Sequence, residues 1–359
     1  MSRLRIYALF GDAGRYAGQV SLGEKHEMHF SSCSFDNLVE RTGLDSIRAR
    51  RSQIDRVLDE MEGFDAVFSD SPDLMLLHYV RRKRKMRPIP WLVNEVDRFG
   101  TAGLVRRFVE DHYGDDPFPG ALRAGEVLWF TIVPGLDGYY RNMGIPAENI
   151  FYLPMARASV GFFLPELVRA QDRVLAGSED DWLDCPISPG AILAMGSHER
   201  DYSCLAEALS GTGHTAEIIC NLSLYRDRPE GPLIWHDSVP AEAYVEAIRR
   251  ASMVVLPLRP VDRALGQMSC ALPMRLGKAI VATQMPSLSA HIRDGENGLT
   301  YPVGDAQALR RCMLRLAGDG VERSRLGAAA SRRERELSEV AEEAIVRIVE
   351  HLIDLSGAP

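Results

Sequence analysis

Residues 266–283 read GQMSCALPMRLGKAIVAT. A glycine opens an apolar segment, Leu276, Gly277 and Lys278 bring it to a stop, and Ala279 to Ala282 then read as a buried strand. A glycine followed by a helix start offers unpaired N–H groups and the positive end of a dipole, which suits a phosphate. The same letters also describe a plain loop, helix and strand. Pro273 stands inside the expected helix and should shorten or tilt it.

Short apolar runs alternate with amphipathic patterns on both sides of this stretch. RIYALF (5–10), FDAVFSD (64–70), PWLVNEV (90–96) and VLWFTIV (127–133) come before the middle of the chain. AILAMGS (191–197), TAEIIC (215–220), ASMVVLPL (251–258) and KAIVAT (278–283) follow it. Strands apolar on both faces, separated by amphipathic helices, predict an α/β protein with parallel sheets covered on both sides. Residues 156–188 break the rhythm with an acidic text that ends in proline and glycine, RAQDRVLAGSEDDWLDCPISPG (169–190), and are expected to link two Rossmann-like domains, 1–155 and 189–335. SRRERELSEVAEEAIVRIVEHLIDL (331–355) has helical spacing and closes the chain as an amphipathic helix, taken as 336–359. In such doubly wound sheets ligands bind beyond the carboxyl ends of the strands, here in a cleft between two facing domains.

Composition narrows the function classes. The chain has 359 residues, 46% hydrophobic and 26% charged, which is the profile of a globular protein long enough for two cores. A net charge of −8 speaks against general nucleic-acid binding. Six cysteines are scattered without metal-ligand spacing, so a reduced, cytoplasmic protein without a metal is expected. MSRLRIYALFGDAG (1–14) reads as a first strand rather than a secretion signal, and no apolar stretch is long enough to span a membrane.

Four segments of the second half carry the chemistry in a fixed order. AILAMGSHERDYSCLAEAL (191–209) is a strand, a glycine loop and a helix; HDSVPAEAYVEAIRRASMVVLPL (236–258) is a turn, a helix and a strand. The opening stretch is third, and IRDGENGLTYPVGDAQALRRCMLRL (292–316) is fourth. Together they resemble the nucleotide-sugar-binding domain of GT-B glycosyltransferases of the group 1, or family 4, class. That family's Gly-Gln-x-Ser-Leu-Leu-Glu-Ala-Met-Ala-x-Gly-Lys aligns without a gap on Gly266 to Lys278. The likeness covers about residues 190–330 well. It is looser before the linker, where DAVFSDSPDLMLLHYVRRKRKMRPIPWLVNEVDR (65–98) and GYYRNMGIPAENIFYLPMA (138–156) resemble the family's strand–helix–strand and its Gly-Ile-Pro passage between domains.

The resemblance implies a GT-B fold whose last helix packs back toward the first domain. It also implies a C-terminal domain that holds a nucleoside-diphosphate sugar as co-substrate, and an N-terminal domain that presents the acceptor. The departing diphosphate gains negative charge, so donors belong where that charge appears. Arg200 is the candidate contact, with Gly196, Ser197 and His198 in its loop. The backbone of Gly266 and Gln267, followed by Met268 and Ser269, forms the second half of the site. Arg200 could instead pair with Asp201 or cap a helix, and His198 could be a solvated loop residue. His236, Asp237, Ser238 and Val239 stand where the family reads the nucleobase, although Asp237 or Ser238 could equally cap the helix that begins near Pro240.

The chain also departs from the family pattern. The two donor carboxylates are replaced by Ala264 and Leu272, so Leu272 stands where a glutamate would accept from the ribose hydroxyls. The lysine that usually follows the glycine loop is missing as well. On the acceptor side, Gly11, Asp12 and Gly14 follow the first strand, while Asn94, Glu95 and Asp97 end another; Glu95 and Asp97 join Arg200 as catalytic candidates. Arg81, Arg82, Lys83, Arg84, Lys85 and Arg87 form a basic run that either touches anionic lipid headgroups, as a peripheral contact on the inner membrane face, or is a solvated helix end. The expected activity is transfer of a sugar, with retention and without a metal, to a glycan, a lipid-linked or a small-molecule acceptor. An inactive sugar-nucleotide-binding or partner subunit is the alternative, and a nucleotide-sugar epimerase is a third reading.

Overall fold

Four-residue apolar runs such as Ile192–Met195 have no polar face, so water can be excluded from them only by layers on both sides. The structure, a computed structural model, describes residues 2–10, 18–22, 26–34, 51–69, 81, 84–86, 89–94, 127–132, 134–135, 137–142, 145–163, 165–177, 185–225, 228–260 and 265–356. It divides into two units, 1–153 with 342–359, and 154–341.

In the first unit the described elements are β1 (Ser2–Phe10), β2 (Gly18–Leu22), β3 (His26–Ser34), α1 (Arg51–Met61), β4 (Ala66–Ser69), β5 (Trp91–Asn94), β6 (Val127–Thr131), α2 (Asp137–Asn142) and β7 (Ile150–Tyr152). The strands form one sheet in the order β2-β3-β1-β4-β5-β6-β7, in which only the β2–β3 pair is antiparallel. Ile6, Phe68, Trp91, Leu128 and Phe130 are buried along it, and Val57, Leu58 and Met61 give α1 its buried stripe. Part of the basic run is paired within the unit. Arg81 is only 3% exposed, and its guanidinium donates to Glu62 at 2.9 Å. Arg84 pairs with Asp55 of α1, Lys85 is exposed, and Arg82, Lys83 and Arg87 lie outside the described residues. Asp55 of α1 and Glu62 just past its end, not visible from the run's own letters, take up two of its charges.

The second unit contains α3 (Arg157–Phe163), α4 (Pro165–Ala176), β8 (Ile192–Met195), α5 (Tyr202–Leu209), β9 (Ala216–Ile219), β10 (Leu233–His236), α6 (Ala241–Arg250), β11 (Met253–Leu256), α7 (Gln267–Arg275), β12 (Ile280–Thr283), β13 (Leu299–Tyr301), α8 (Ala306–Gly318) and the part to Ala341 of α9 (Gly320–Ser356). Its sheet is parallel throughout, in the order β10-β9-β8-β11-β12-β13. Leu193, Met195, Val254, Leu256, Ile280 and Ala282 form one core face with α6 and α7. Ala194, Ile218, Val255 and Val281 form the other with α5 and α8.

Two boundaries differ from expectation. Much of the expected linker is helical and belongs to the second unit, because Ala170 and Val174 recur at helical spacing and bury against its core. Its most acidic stretch, 178–184, and residue 164 lie outside the described residues. The closing helix begins at Gly320 rather than 336; its residues to Ala341 pack in the second unit, and from Glu342 they pack in the first. There Ile345, Ile348, Val349 and Leu352 are buried, and His351 Nε2 bonds Asn149 Oδ1 at 2.9 Å.

The opening stretch keeps its helix despite Pro273, which lies near the end: α7 stops at Arg275, and the Lys278 N–H turns back to Pro273 O at 2.9 Å. Lys278 Nζ donates to Arg249 O at 2.6 Å and Ala251 O at 2.9 Å, carbonyls left open at the end of α6. Lys278→Met keeps the apolar stem and removes both bonds, so unfolding in urea should show a loss of about 2 kcal/mol. An unchanged midpoint would mean that water serves those carbonyls equally well.

Candidate anion site in the second unit

With β8 as the first strand, the second sheet runs 3-2-1-4-5-6, so the direction of winding reverses between β8 and β11. The loops that leave those two strands diverge to opposite faces, which opens a crevice at their carboxyl ends. α5 leaves one way and α7 the other. Gly196, Arg200, Gly266 and Ser269 all fall at this point.

The β8 loop is built around Arg200. Gly196 adopts φ +110°, and a Cβ there would overlap the Arg200 guanidinium, lying 2.7 Å from its Cζ. Arg200 is 5% exposed. Its Nε donates to Met195 O at 2.9 Å, Nη1 to His198 O at 2.7 Å and Nη2 to Ser269 Oγ at 2.8 Å. Asp201 does not pair with it; the Asp201 carboxylate caps α5 by accepting from Cys204 N. Arg200 and Leu258 form an antiparallel bridge, flanked by Asp201 N to Pro257 O at 2.8 Å and Arg259 N to Glu199 O at 3.0 Å. Among the described residues no carboxylate lies within ion-pair distance of Arg200. Its field is felt nearby. Burial pushes the Tyr244 phenol and the Cys270 thiol up to about 12 each, and the Arg200 charge opposes that rise in both.

α7 contributes the other half. Gly266 takes the left-handed φ of +87° at the N-cap, and a Cβ there would lie 2.8 Å from Leu258 Cδ1, so that side chain would have to give way. It carries no side-chain cap, and the first helical bond is Cys270 N to Gly266 O at 2.9 Å. Among the described residues, the N–H groups of Gln267, Met268 and Ser269 meet no acceptor. Gln267 is 2% exposed, and its buried Nε2 is unpartnered too. An uncapped helix start beside a buried cation is an arrangement that an anion completes.

The other candidates fall into groups. Ser197 Oγ accepts from Asn221 N at 2.7 Å and so ties the β8 loop to the end of β9, while His198 is exposed. His236 turns onto the buried Glu217, Nε2 to Oε2 at 2.9 Å. Asp237 and Ser238 do not cap α6, which starts after Pro240 without a side-chain cap. Instead Asp237 Oδ1 accepts from Ser238 N and Leu222 N, and these bonds, Ser238 first, hold its carboxyl below the ordinary value. Val239 packs on the core and Met268 is exposed. Leu272 is 7% exposed in the apolar cluster with Met195 and Leu256, so no acceptor stands there. Gly11, Asp12, Gly14, Glu95, Asp97 and Ala264 lie outside the described residues, as does the side chain of Asn94. Tyr202 was missed: its hydroxyl donates to Gly196 O at 2.6 Å and steadies the loop. Its position, two residues after the arginine in the first turn of α5, was the available signal. Among the described residues no group of His, Cys, Asp and Glu could hold a metal, and no helix is long and apolar enough to cross a membrane.

Residues 211–319 match the family model described as Glycosyl transferases group 1. Comparison with curated proteins gave no match. Solved structures similar to the chain include a glycosyltransferase from Rickettsia africae, with TM-score 0.62, 11% identity, and 98% of this chain and 99% of that one covered. Sucrose-phosphate synthase from Thermosynechococcus elongatus gives TM-score 0.62 and 13% identity over 98% and 99% of the two chains. HepE from Anabaena, solved with UDP and glucose, gives 0.64 and 11% over 97% and 99%. The fold is that of the GT-B glycosyltransferases, as the four segments implied.

Proposed function

We propose, from a chain with the GT-B fold and a group 1 glycosyl transferase segment at 211–319, that the protein moves a sugar from a nucleoside-diphosphate sugar to an acceptor. The observation that carries this reading is the buried Arg200, without a carboxylate partner among the described residues, beside the uncapped start of α7 at the switch point of the second sheet. When the bond between the anomeric carbon and the diphosphate oxygen breaks, negative charge grows on the diphosphate. Fixed positive charge and N–H dipoles at that place stabilise it more than the ground state. Because the protein itself supplies that charge, the reaction is proposed to need no metal. Retention is proposed from the resemblance, and the acceptor is a glycan, a lipid-linked or a small molecule.

Leu272 favours a second reading, a protein that binds a sugar nucleotide without turnover, since the apolar cluster around it leaves no carboxylate at that place. Incubation with a panel of nucleotide sugars separates the two. Release of nucleoside diphosphate, with an α-linked product from an α-linked donor and no effect of EDTA, is the expected result. Binding without release would favour the second reading, and an isomerised donor would point to epimerase chemistry. If no nucleotide sugar binds, both readings fail.

A further inference from the structure

One hydroxyl at the start of α7 is left with a proton to give. Ser269 Oγ accepts from Arg200 Nη2 at 2.8 Å, and among the described residues its own O–H meets no acceptor. Ser269 is half-buried, whereas Arg200 is closed off and has three donors committed to the protein. Its Nε–H and one hydrogen of each terminal nitrogen are thus turned to the protein. A hydroxyl that accepts from a cation is, however, polarised into a stronger donor.

We propose that Ser269 carries the charge of Arg200 to the bound diphosphate, its O–H donating to a phosphate oxygen beside the N–H groups of Gln267, Met268 and Ser269. The inference rests on the reading of this site as a nucleotide-sugar site and gives Ser269 a substrate contact in it. The geometry is suited to the task, because Ser269 is the third residue of α7 and its N–H and O–H belong to the same helix terminus. The buried, unpartnered Nε2 of Gln267 marks the same terminus as short of an acceptor.

The test is calorimetry of wild type, Ser269→Ala and Ser269→Thr with uridine, guanosine, adenosine and thymidine diphosphates and with the matching nucleosides. For whichever diphosphate wild type binds, Ser269→Ala should weaken it about tenfold, leave the nucleoside unchanged, and be rescued by Ser269→Thr. A purely structural role would lower thermal stability while leaving the ratio of diphosphate to nucleoside affinity where it was, and that outcome overturns the relay. If wild type binds no nucleoside diphosphate, the reading of the site falls, and the relay with it. Tight wild-type binding with an unaffected Ser269→Ala removes the relay alone.

Discussion

Gly327→Ala should unfold or severely weaken the second unit. Helix propensity argues for the opposite: a glycine inside α9 costs about 1 kcal/mol relative to alanine. The position overrides that gain. A Cβ at Gly327 would overlap the Gly277 carbonyl oxygen and lie 2.8 Å from its carbonyl carbon, with Ala279 N at 3.4 Å. These are backbone atoms of the turn that ends α7, and Gly277 itself holds φ +65°. They cannot rotate aside as a side chain could, so the helix or the turn must shift. Overpacking against backbone costs about 3 kcal/mol or more. The expected result is a melting temperature lower by about 10 °C, or insoluble protein. A variant as stable as wild type would show that α9 slides freely over the Gly277 turn.

Arg200→Ala should have two effects that can be measured separately. Removal of the guanidinium leaves the carbonyls of Met195 and His198 and the hydroxyl of Ser269 without their donor, and opens space beneath Gly196. At about 1–3 kcal/mol for each buried group left unpaired, a stability loss of about 4 kcal/mol follows. The second effect is on the ligand. Loss of a buried positive charge at the start of α7 should weaken nucleoside diphosphate binding by about 10- to 100-fold and leave nucleoside binding nearly unchanged. Chemical denaturation reads the first effect and calorimetry the second. Arg200→Lys keeps the charge without the fork, so it should recover much of the affinity and little of the stability. If diphosphate affinity survives in Arg200→Ala, the charge that holds the anion comes from elsewhere.

The sequence by itself determined much of this protein. Two-faced apolar runs such as ILAM and MVVL can only lie inside a sheet covered on both sides, so the parallel strands were legible from local composition. The four ordered segments of the second half carried the GT-B resemblance, and Gly266 was legible as the opening of a helix with a free N-terminus. Short strands at sheet edges, such as Leu233–His236 and Leu299–Tyr301, were not, because a three- or four-residue run beside a turn carries too little periodicity. The helices in the expected linker were hidden by acidic letters whose apolar partners lie elsewhere in the chain.

Only the tertiary structure decided what the key side chains do. Arg200 read as a candidate diphosphate contact or a partner of Asp201; three of its donors meet Met195, His198 and Ser269, the last 69 residues away. Lys278 read as part of a stop signal and proves to close the end of α6. Gly327 drew no attention in the sequence and is where α9 meets backbone. In each case at least one deciding partner is remote in sequence: Ser269 for Arg200, Arg249 and Ala251 for Lys278, Gly277 for Gly327. Local propensity fixes which element a residue joins, but a hydrogen bond or a steric limit between elements exists only once the sheet has brought them together.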